Sequence, residues 1–560
     1  MFMLKLPYGI SNYEELIEDG YYYADKTMYI EKLENLAEKR IMFLRPRKFG
    51  KTLFTSTLEN YYDIKKADKF DRLFGNTYIG KNPTELKNSY YILKFNFSGI
   101  DTTNEETTMQ GFKREVASSI GVFVQKYGLD FFVNEDDEAE GILDNIIKAF
   151  YIQKPEEKIY VIIDEYDHFA NELLSFNTNQ FKSLVSKNGK VRKWYEILKK
   201  GTESVVDRIF ITGVAPITLD SLTSGFNIVS DRTQSESFNE MMGFTTKELV
   251  KMMEDIGIGE KEQEELLPIM KENYDGYKFA IDAEEKMYNS NMCLYFLNAY
   301  MEKRKTPAKL IDTNIASDYK KLGNMLDLCR GDERERIIED TIVGEGIVSE
   351  ITEKFNPAVE FGEKELVSML FYLGYLTIAG EEIGTPVLKV PNKLMRELYS
   401  EYFIKLLSLE TDMNITNEYT AIRREIALEG KIDKIVNIME EFLKRLSNRD
   451  YVKFEEKYIK IMFYTIASSI NGYVVKSEME VERKYPDIVM MPKERDKGYK
   501  SIMIEFKYLR KDEESKLEEK QEEARKQIEE YGEFEEIKAI QNLHKYTVVA
   551  VNDKLYVEEI

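Results

Sequence analysis

The chain has 560 residues, room for three or four compact units of roughly 100–200 residues each, and its 43% hydrophobic and 12% aromatic content makes it globular rather than disordered. Its 79 Lys and Arg stand against 101 Asp and Glu, a net charge of −22, which excludes a basic coat that binds nucleic acid by its overall field; any polyanion site must be local. Two cysteines and two histidines exclude a disulfide framework, a Cys-rich zinc site and His-based cages, leaving carboxylates, Lys, Arg, Ser/Thr and Tyr as the catalytic alphabet.

The opening MFMLKLPYGIS reaches Pro7 before an apolar signal core can form, and the longest uncharged run, from Leu366 to Gly380, is short of the ~20 residues of a spanning helix. The expectation is a cytoplasmic protein without a membrane partner. From about residue 21 to 210, helical stretches alternate with apolar runs at 41–44, 91–95, 160–163 and 208–211, which predicts a parallel sheet.

The first of these runs leads into RPRKFGKTL and an apolar helical stretch, the strand-turn-helix setting of a phosphate-binding loop. There the backbone N–H groups and the positive helix end face an anion, Lys51 reaches the β/γ oxygens, and the Thr52 hydroxyl meets Mg²⁺. Arg47, Gly50, Lys51 and Thr52 are the candidate nucleotide residues. Six basic residues and no acid lie between Lys39 and Lys51, which suits a triphosphate; Arg45 stands where such loops usually carry their first glycine. The run 160–163 ends in Asp164-Glu165, the complementary pattern, with Asp164 expected on Mg²⁺ and Glu165 on the attacking water. His168 has no required part in this chemistry and reads as a bystander. Between Lys182 and Lys200, seven basic residues face one acid around Trp194, the single tryptophan, giving a candidate nucleic-acid grip set against a solvated helix with its Trp inward. The run 208–211 ends in Thr212-Gly213, where Thr212 is a candidate γ-phosphate sensor. Arg208 or Arg232 would serve as an arginine finger if the protein is a homo-oligomer.

Residues 245–306 read as helical, opening with a Thr245/Glu248 capping box. A helix at 365–372, strands at 375–378 and 387–390, and a helix after Pro391-Asn392 follow the order of a winged-helix module. From about 454 the expectation is a helix to 469, strands at 473–481, 486–491 and 501–508, a charged helix at 511–531 and a last strand at 546–551. If the strands around the turn 492–500 pair as a hairpin centred on Asp496, Asp487 faces Glu505, and Lys507 points the same way. Two facing carboxylates need a cation, and Mg²⁺ is the economical one: Asp487 and Glu505 would ligate it, and Lys507 would orient water or stabilise developing charge. That is the D-x17-E-x-K constellation of a phosphodiester-cleaving site.

Asp25-Lys26-Thr27, LRPRKFGKT, VIIDEYD, ITGVAPI, GFNI, GFTTKEL, YDGYKF, the GYLT-to-VPN stretch and the C-terminal motifs together resemble the prokaryotic AAA-ATPase-like proteins fused to a C-terminal PD-(D/E)XK nuclease domain. In that family an Arg-Pro-Arg loop lacking the first glycine is usual. Gln527 and Tyr531, one helical turn apart, resemble the QxxxY element of RecB-like nucleases, and one of Glu455, Glu456, Glu478 or Glu480 matches the superfamily's additional acid. The resemblance implies an α/β chain: a P-loop parallel-sheet ATPase domain with a helical lid over 1–300, a helical and winged-helix-like region over 301–440, and a small α/β PD-(D/E)XK nuclease-like domain over 441–560. The expected cofactors are ATP and Mg²⁺ and the expected partner is nucleic acid, DNA first. The alternative is a nucleotide-dependent switch or binding module with an inactive nuclease fold.

Overall fold

The computed structural model describes residues 4–134, 136–170, 172, 190–216, 228–307, 309–312, 320–326, 337, 341, 346–353, 355, 362–399, 402, 415–444, 456–468, 470, 472–477, 479, 484–493 and 497–560. The chain forms two compact units, Met1–Ile337 with Gly346–Leu394, and Ile338–Glu345 with Met395–Ile560.

In the first unit, β1 (Arg40–Leu44) runs into α1 (Lys51–Tyr62); β2 (Tyr91–Asn96), α2 (Glu105–Tyr127), α3 (Ala139–Gln153), β3 (Ile159–Asp164), α4 (Lys190–Gly201), β4 (Val206–Gly213) and the two-residue β5 (Ser230–Asp231) follow. The strands pair in the order β2-β3-β4-β1-β5, all parallel. Every residue of β3 is buried, so its sequence is a continuous apolar run rather than an alternation, as a strand covered on both faces requires. Because the strands are parallel, the C-terminal ends of β1, β3 and β4 open on one edge, where ligands of such sheets bind.

The expected helical stretch 245–306 is interrupted. Helix Thr246–Asp255 carries the expected capping box, with Thr245 and Glu248 bonded reciprocally at 2.8 and 3.2 Å. After helix Glu260–Tyr274, the YDGYKF segment runs extended and bridges Met287 through Tyr277 before α5 (Ser290–Lys303) begins. Gly276 is required there: at φ 103° its backbone lies so close to Pro391 that an added Cβ would meet the Pro391 carbonyl oxygen at 2.0 Å. Beyond it, β6 (Ile347–Val348), α6 (Glu363–Tyr372), β7 (Thr377–Glu382) and β8 (Thr385–Lys389) form a three-stranded antiparallel sheet in the order β6-β8-β7 with its helix, and 393–399 is helical. This is the winged-helix-like order, with β6 an addition the sequence pattern did not signal. Here too a close approach matters: Gly374, at φ 84°, abuts Pro46 of the loop between β1 and α1, and Lys278 N donates to Thr377 Oγ1 at 2.7 Å.

In the second unit, β9 (Tyr473–Ser477), β10 (Ile488–Pro492), β11 (Ser501–Leu509), β12 (Leu543–Val551) and β13 (Lys554–Glu559) form a sheet in the order β13-β12-β11-β10-β9; β11 and β12 are parallel and the other pairs antiparallel. Helices Ile415–Glu429, Asp433–Leu443 and α7 (Glu456–Ser468) cover one face, burying Ile488, Met490, Ile502, Ile504 and Phe506. The other face packs Val489 and Met503 against Ile528 and Tyr531 of α8 (Leu517–Tyr531). Each such aliphatic or aromatic side chain contributes about 1.5–3 kcal/mol when fully buried, so this two-sided core fixes the strand register. Two expectations are corrected. The charged run 511–531 opens as a 3-10 helix, Lys511–Lys516, and β12 is followed by a further strand, β13, whose polar alternation marks it as an edge.

Candidate nucleotide and carboxylate sites

The loop between β1 and α1 turns through two left-handed residues, Lys48 at φ 67° and Gly50 at φ 92°, and delivers Lys51 as the first residue of α1. Lys51 is buried, and its Nζ donates to the carbonyls of Arg45 and Pro46, both at 3.1 Å. A cavity of about 610 Å³ opens here, lined by Arg47, Lys48, Gly50, Lys51 and Thr52 on one side. Elsewhere its lining includes Ile10, Tyr22, Met241, Met242, Phe244 and Leu294, an apolar and aromatic surface. Volume and mixed lining are those of a small-ligand pocket. The N-terminal turn of α5 closes the loop from behind, with Ser290 Oγ donating to the Lys48 carbonyl at 3.1 Å.

Asp164 and Glu165 end β3 at this edge. Asp164 is fully buried, both its oxygens lack a hydrogen bond of good geometry, and burial first and Glu165 second push its carboxyl up against the pull of Thr52 and Lys51. Glu165 lines the cavity in a left-handed conformation, φ 53°, a strained backbone of the kind that collects at functional sites. Burial would raise its carboxyl too, but His168, Lys51 and Arg47 outweigh it and bring it down to about 2. His168, read as a bystander, lines the cavity and stands 3.5 Å from Glu165 and 3.6 Å from Glu172. Thr212 is not brought to the cavity: its hydroxyl donates to the Phe43 carbonyl at 2.8 Å within the sheet. Asp167, which the pattern left without a role, accepts from the amides of Val214 (3.0 Å) and Ala215 (2.7 Å) and fixes the end of β4. Gly213 is therefore required, since an added Cβ would lie 2.1 Å from Asp167 Oδ1.

Part of the basic cluster around the loop is structural. Arg45 is fully buried, donates to the carbonyls of Leu44 (2.9 Å), Thr233 (2.8 Å) and Phe238 (3.1 Å), and is sandwiched between the rings of Phe43 and Phe279 at 4.1 and 4.0 Å. Lys39 pairs with Asp207 at 2.7 Å. Arg208 is buried beside Tyr62, Tyr90 and Tyr160, and Arg232 pairs with Glu38, so neither is presented as a free finger. Of the Trp194 patch, Lys182 and Lys187 lie outside the described residues. Trp194 itself is wholly buried, edge-on to Phe95 at 5.0 Å and Phe112 at 5.7 Å, while Lys190, Arg192 and Lys200 pair with Glu138, Glu196 and Asp144. The solvated-helix alternative describes α4.

In the second unit, Ile488 pairs with Ile504, Val489 with Met503 and Met490 with Ile502, the register centred on 496. Asp487, Glu505 and Lys507 thus share the face covered by α8. Asp487 Oδ2 accepts from the Phe506 amide at 2.7 Å, and Lys507 Nζ lies 2.9 Å from Glu505 Oε1. All three are nearly dry, Glu505 at 3% exposure, and Glu505 Oε2 has no partner. Burial and then Asp487 raise the Glu505 carboxyl to about 7. Tyr531 is buried and its phenol is raised to about 12 by burial, Glu505 and Asp487, which ties it electrically to the pair. Gln527, one turn earlier, keeps a shielded Oε1 without a partner. Lys460 of α7, absent from the sequence reading, reaches Asp487 Oδ1 at 2.5 Å and Glu456 at 3.1 Å. Of the four candidate extra acids, Glu456 is joined to the site this way; Glu455, Glu478 and Glu480 lie outside the described residues.

Comparison with known proteins agrees with both halves. Residues 7–223 match the family described as "Predicted AAA-ATPase", and residues 454–560 match the PD-(D/E)XK nuclease superfamily. The chain joins an AAA-ATPase-like domain to a PD-(D/E)XK nuclease domain. It is also 25% identical over 243 residues to a protein of Azotobacter chroococcum mcd 1 titled "Uncharacterized protein in vnfD 5'region", a match over 43% of each chain; it spans less than half the length of that relative. Among solved structures, the Aeropyrum pernix ORC2 protein in its ADPNP-ADP complexes is similar, at 10% identity and a TM-score of 0.35 over 70% of this chain and 98% of that one.

Such domains use nucleotide and divalent metal in general, and the donors present fit both. In the AAA-ATPase-like domain, a buried Asp164 with unpartnered oxygens beside the Thr52 hydroxyl is the hard oxygen set that Mg²⁺ takes together with phosphates. Among the described residues no cluster of three His, Cys, Asp or Glu side chains could hold a metal. With Lys460 standing between Asp487 and Glu456, the nuclease domain offers two carboxylates, which suffices for Mg²⁺ when water and substrate phosphate complete its shell. Among the described residues no helix is long and apolar enough to cross a membrane.

Proposed function

We propose that this protein is an ATPase whose chain also carries a Mg²⁺-dependent nuclease acting on nucleic acid, DNA in the first instance. The observation that carries the nuclease half is the meeting of Asp487, Glu505 and Lys507 on one buried sheet face with Tyr531 above them. In this reading Asp487 and Glu505 hold Mg²⁺, which polarises the phosphodiester, Lys507 steadies the developing charge or the attacking water, and Gln527 and Tyr531 position substrate. The nucleotide half is supported by the 610 Å³ cavity at the sheet's C-terminal edge. Its basic loop, with Arg47, Gly50, Lys51 and Thr52, takes the phosphates, and the apolar lining takes the base. Asp164 and Thr52 hold Mg²⁺, and Glu165 orients the water. His168, within 3.5 Å of Glu165, holds the direction of its carboxylate.

The test is cleavage of labelled single- and double-stranded DNA with Mg²⁺, with and without ATP, comparing wild type, Lys507→Ala and Lys51→Ala. Expected are product from wild type, none from Lys507→Ala, and ATP turnover lost only in Lys51→Ala. If wild type cuts neither DNA nor a parallel RNA substrate, the C-terminal domain is a binding module and the nuclease reading fails.

A further inference from the structure

Each acid of the nuclease site has its own lysine. Glu505 is held by Lys507 from the same strand, as the motif dictates, but Asp487 is held by Lys460 from α7, a residue outside the motif. Lys460 Nζ stands 2.5 Å from Asp487 Oδ1 and 3.1 Å from Glu456 Oε1, so it bridges two carboxylates that come from different elements. Burial works against the ammonium, yet Asp487 and Glu456 keep it firmly protonated. The other oxygen of Asp487 accepts from the Phe506 amide, so Lys460 is the one cation on the Oδ1 side among the described residues. Beside it, Glu505 offers a buried Oε2 that nothing satisfies.

An ammonium and a divalent ion brought to the same carboxylate oxygen repel each other, so Lys460 on Asp487 Oδ1 competes with any cation that oxygen would take. We infer that Lys460 is a positioning residue that keeps, between Glu456 and Asp487, the place a divalent cation takes in the loaded site, so that metal entry and release of Lys460 are one exchange and Glu456 becomes the third carboxylate. This rests on the reading of Asp487 and Glu505 as metal ligands. The exchange gives the empty site a neutralised, foldable form and leaves the freed ammonium of Lys460 beside the metal, where an incoming phosphate needs positive charge.

Mn²⁺ titration by calorimetry tests it on the full chain without nucleotide, in a Thr52→Ala, Asp164→Asn background that silences the other candidate cation site. Lys460→Met should tighten Mn²⁺ binding roughly fivefold or more, the usual lower range for coupled sites. Lys460→Arg, which keeps the competing charge, should leave the affinity where it was, and adding Glu456→Gln to Lys460→Met should remove the gain. If Lys460→Met does not fold, Lys460→Gln makes the same comparison. If Asp487→Asn leaves Mn²⁺ binding unchanged, the carboxylate site itself is misread and this inference falls with it. If Asp487→Asn abolishes binding while neither uncharged Lys460 variant tightens it, the exchange is overturned and the carboxylate site stands.

Discussion

The two acidic pairs of this chain, Asp164-Glu165 and Asp487-Glu505, are built in opposite ways. The first comes from adjacent residues at one strand end; Glu165 lines an open cavity, where His168, Lys51 and Arg47 bring its carboxyl down to about 2, while the oxygens of the buried Asp164 lack a hydrogen bond of good geometry. The second is assembled across two strands and a helix, nearly dry, with a lysine on each acid and Glu505 raised to about 7. A site that receives its countercharge with a ligand can stand half-satisfied at the edge of a cavity. A pair sunk in a sheet is costly without countercharge, and here lysines of the same domain stand against it.

The largest effect that would break this comparison is on catalysis. Lys507→Ala should cost about 10²-fold or more in cleavage, on the order of 3 kcal/mol, with nucleotide turnover intact. Equal loss of both activities would mean the two sites are not chemically separate.

Next comes the packing that holds the loop between β1 and α1. Arg45→Met leaves the carbonyls of Leu44, Thr233 and Phe238 without their donor and should destabilise the first unit by about 3 kcal/mol, read as an unfolding-temperature drop with nucleotide affinity of the folded fraction unchanged. A loss of affinity at constant stability would instead put Arg45 on the phosphates.

The two glutamates should then move stability in opposite directions with pH. Glu165 is depressed from 4.5 to about 2, so the folded state holds its proton less tightly than the unfolded one: its contribution is full above 4.5 and is lost as pH falls toward 2. Glu505 is raised from 4.5 to about 7, so its contribution is full below 4.5 and is lost as pH rises through 7. In metal-free protein each is worth on the order of 3 kcal/mol, and Glu165→Gln and Glu505→Gln should flatten opposite limbs of the unfolding-versus-pH curve. Limbs that move together would sink the contrast.

The smallest effect is on α4. Charge reversal of Lys190, Arg192 and Lys193 removes exposed ion pairs worth about 0.2–1 kcal/mol each. DNA binding and its salt dependence should stay as they were, and a weakened, flatter dependence would restore the patch as a grip.

Much of this was legible in the sequence, and for local reasons. A strand, a turn with Gly50 and a helix opening at Lys51 are consecutive, so their geometry follows from neighbouring residues; the period of two along β10 and β11, with a turn of known length, was enough to set Asp487 opposite Glu505. The sequence alone thus determined the fold class, both acidic pairs and the lysines adjacent to them. What it could not determine depends on which distant elements meet. The same basic run that holds Lys51 also holds Arg45, and burial between Phe43 and Phe279 decided that Arg45 faces inward. Trp194 and the charges of α4 could have turned either way until α2 and β2 covered one side. Lys460, four residues after Glu456, reads as an ordinary helical ion pair, and only the packing of α7 beside β10 brings it to Asp487. Electrostatic partners are chosen by tertiary contact, because a charge acts through space on whatever the fold places within a few ångströms, whatever the separation along the chain.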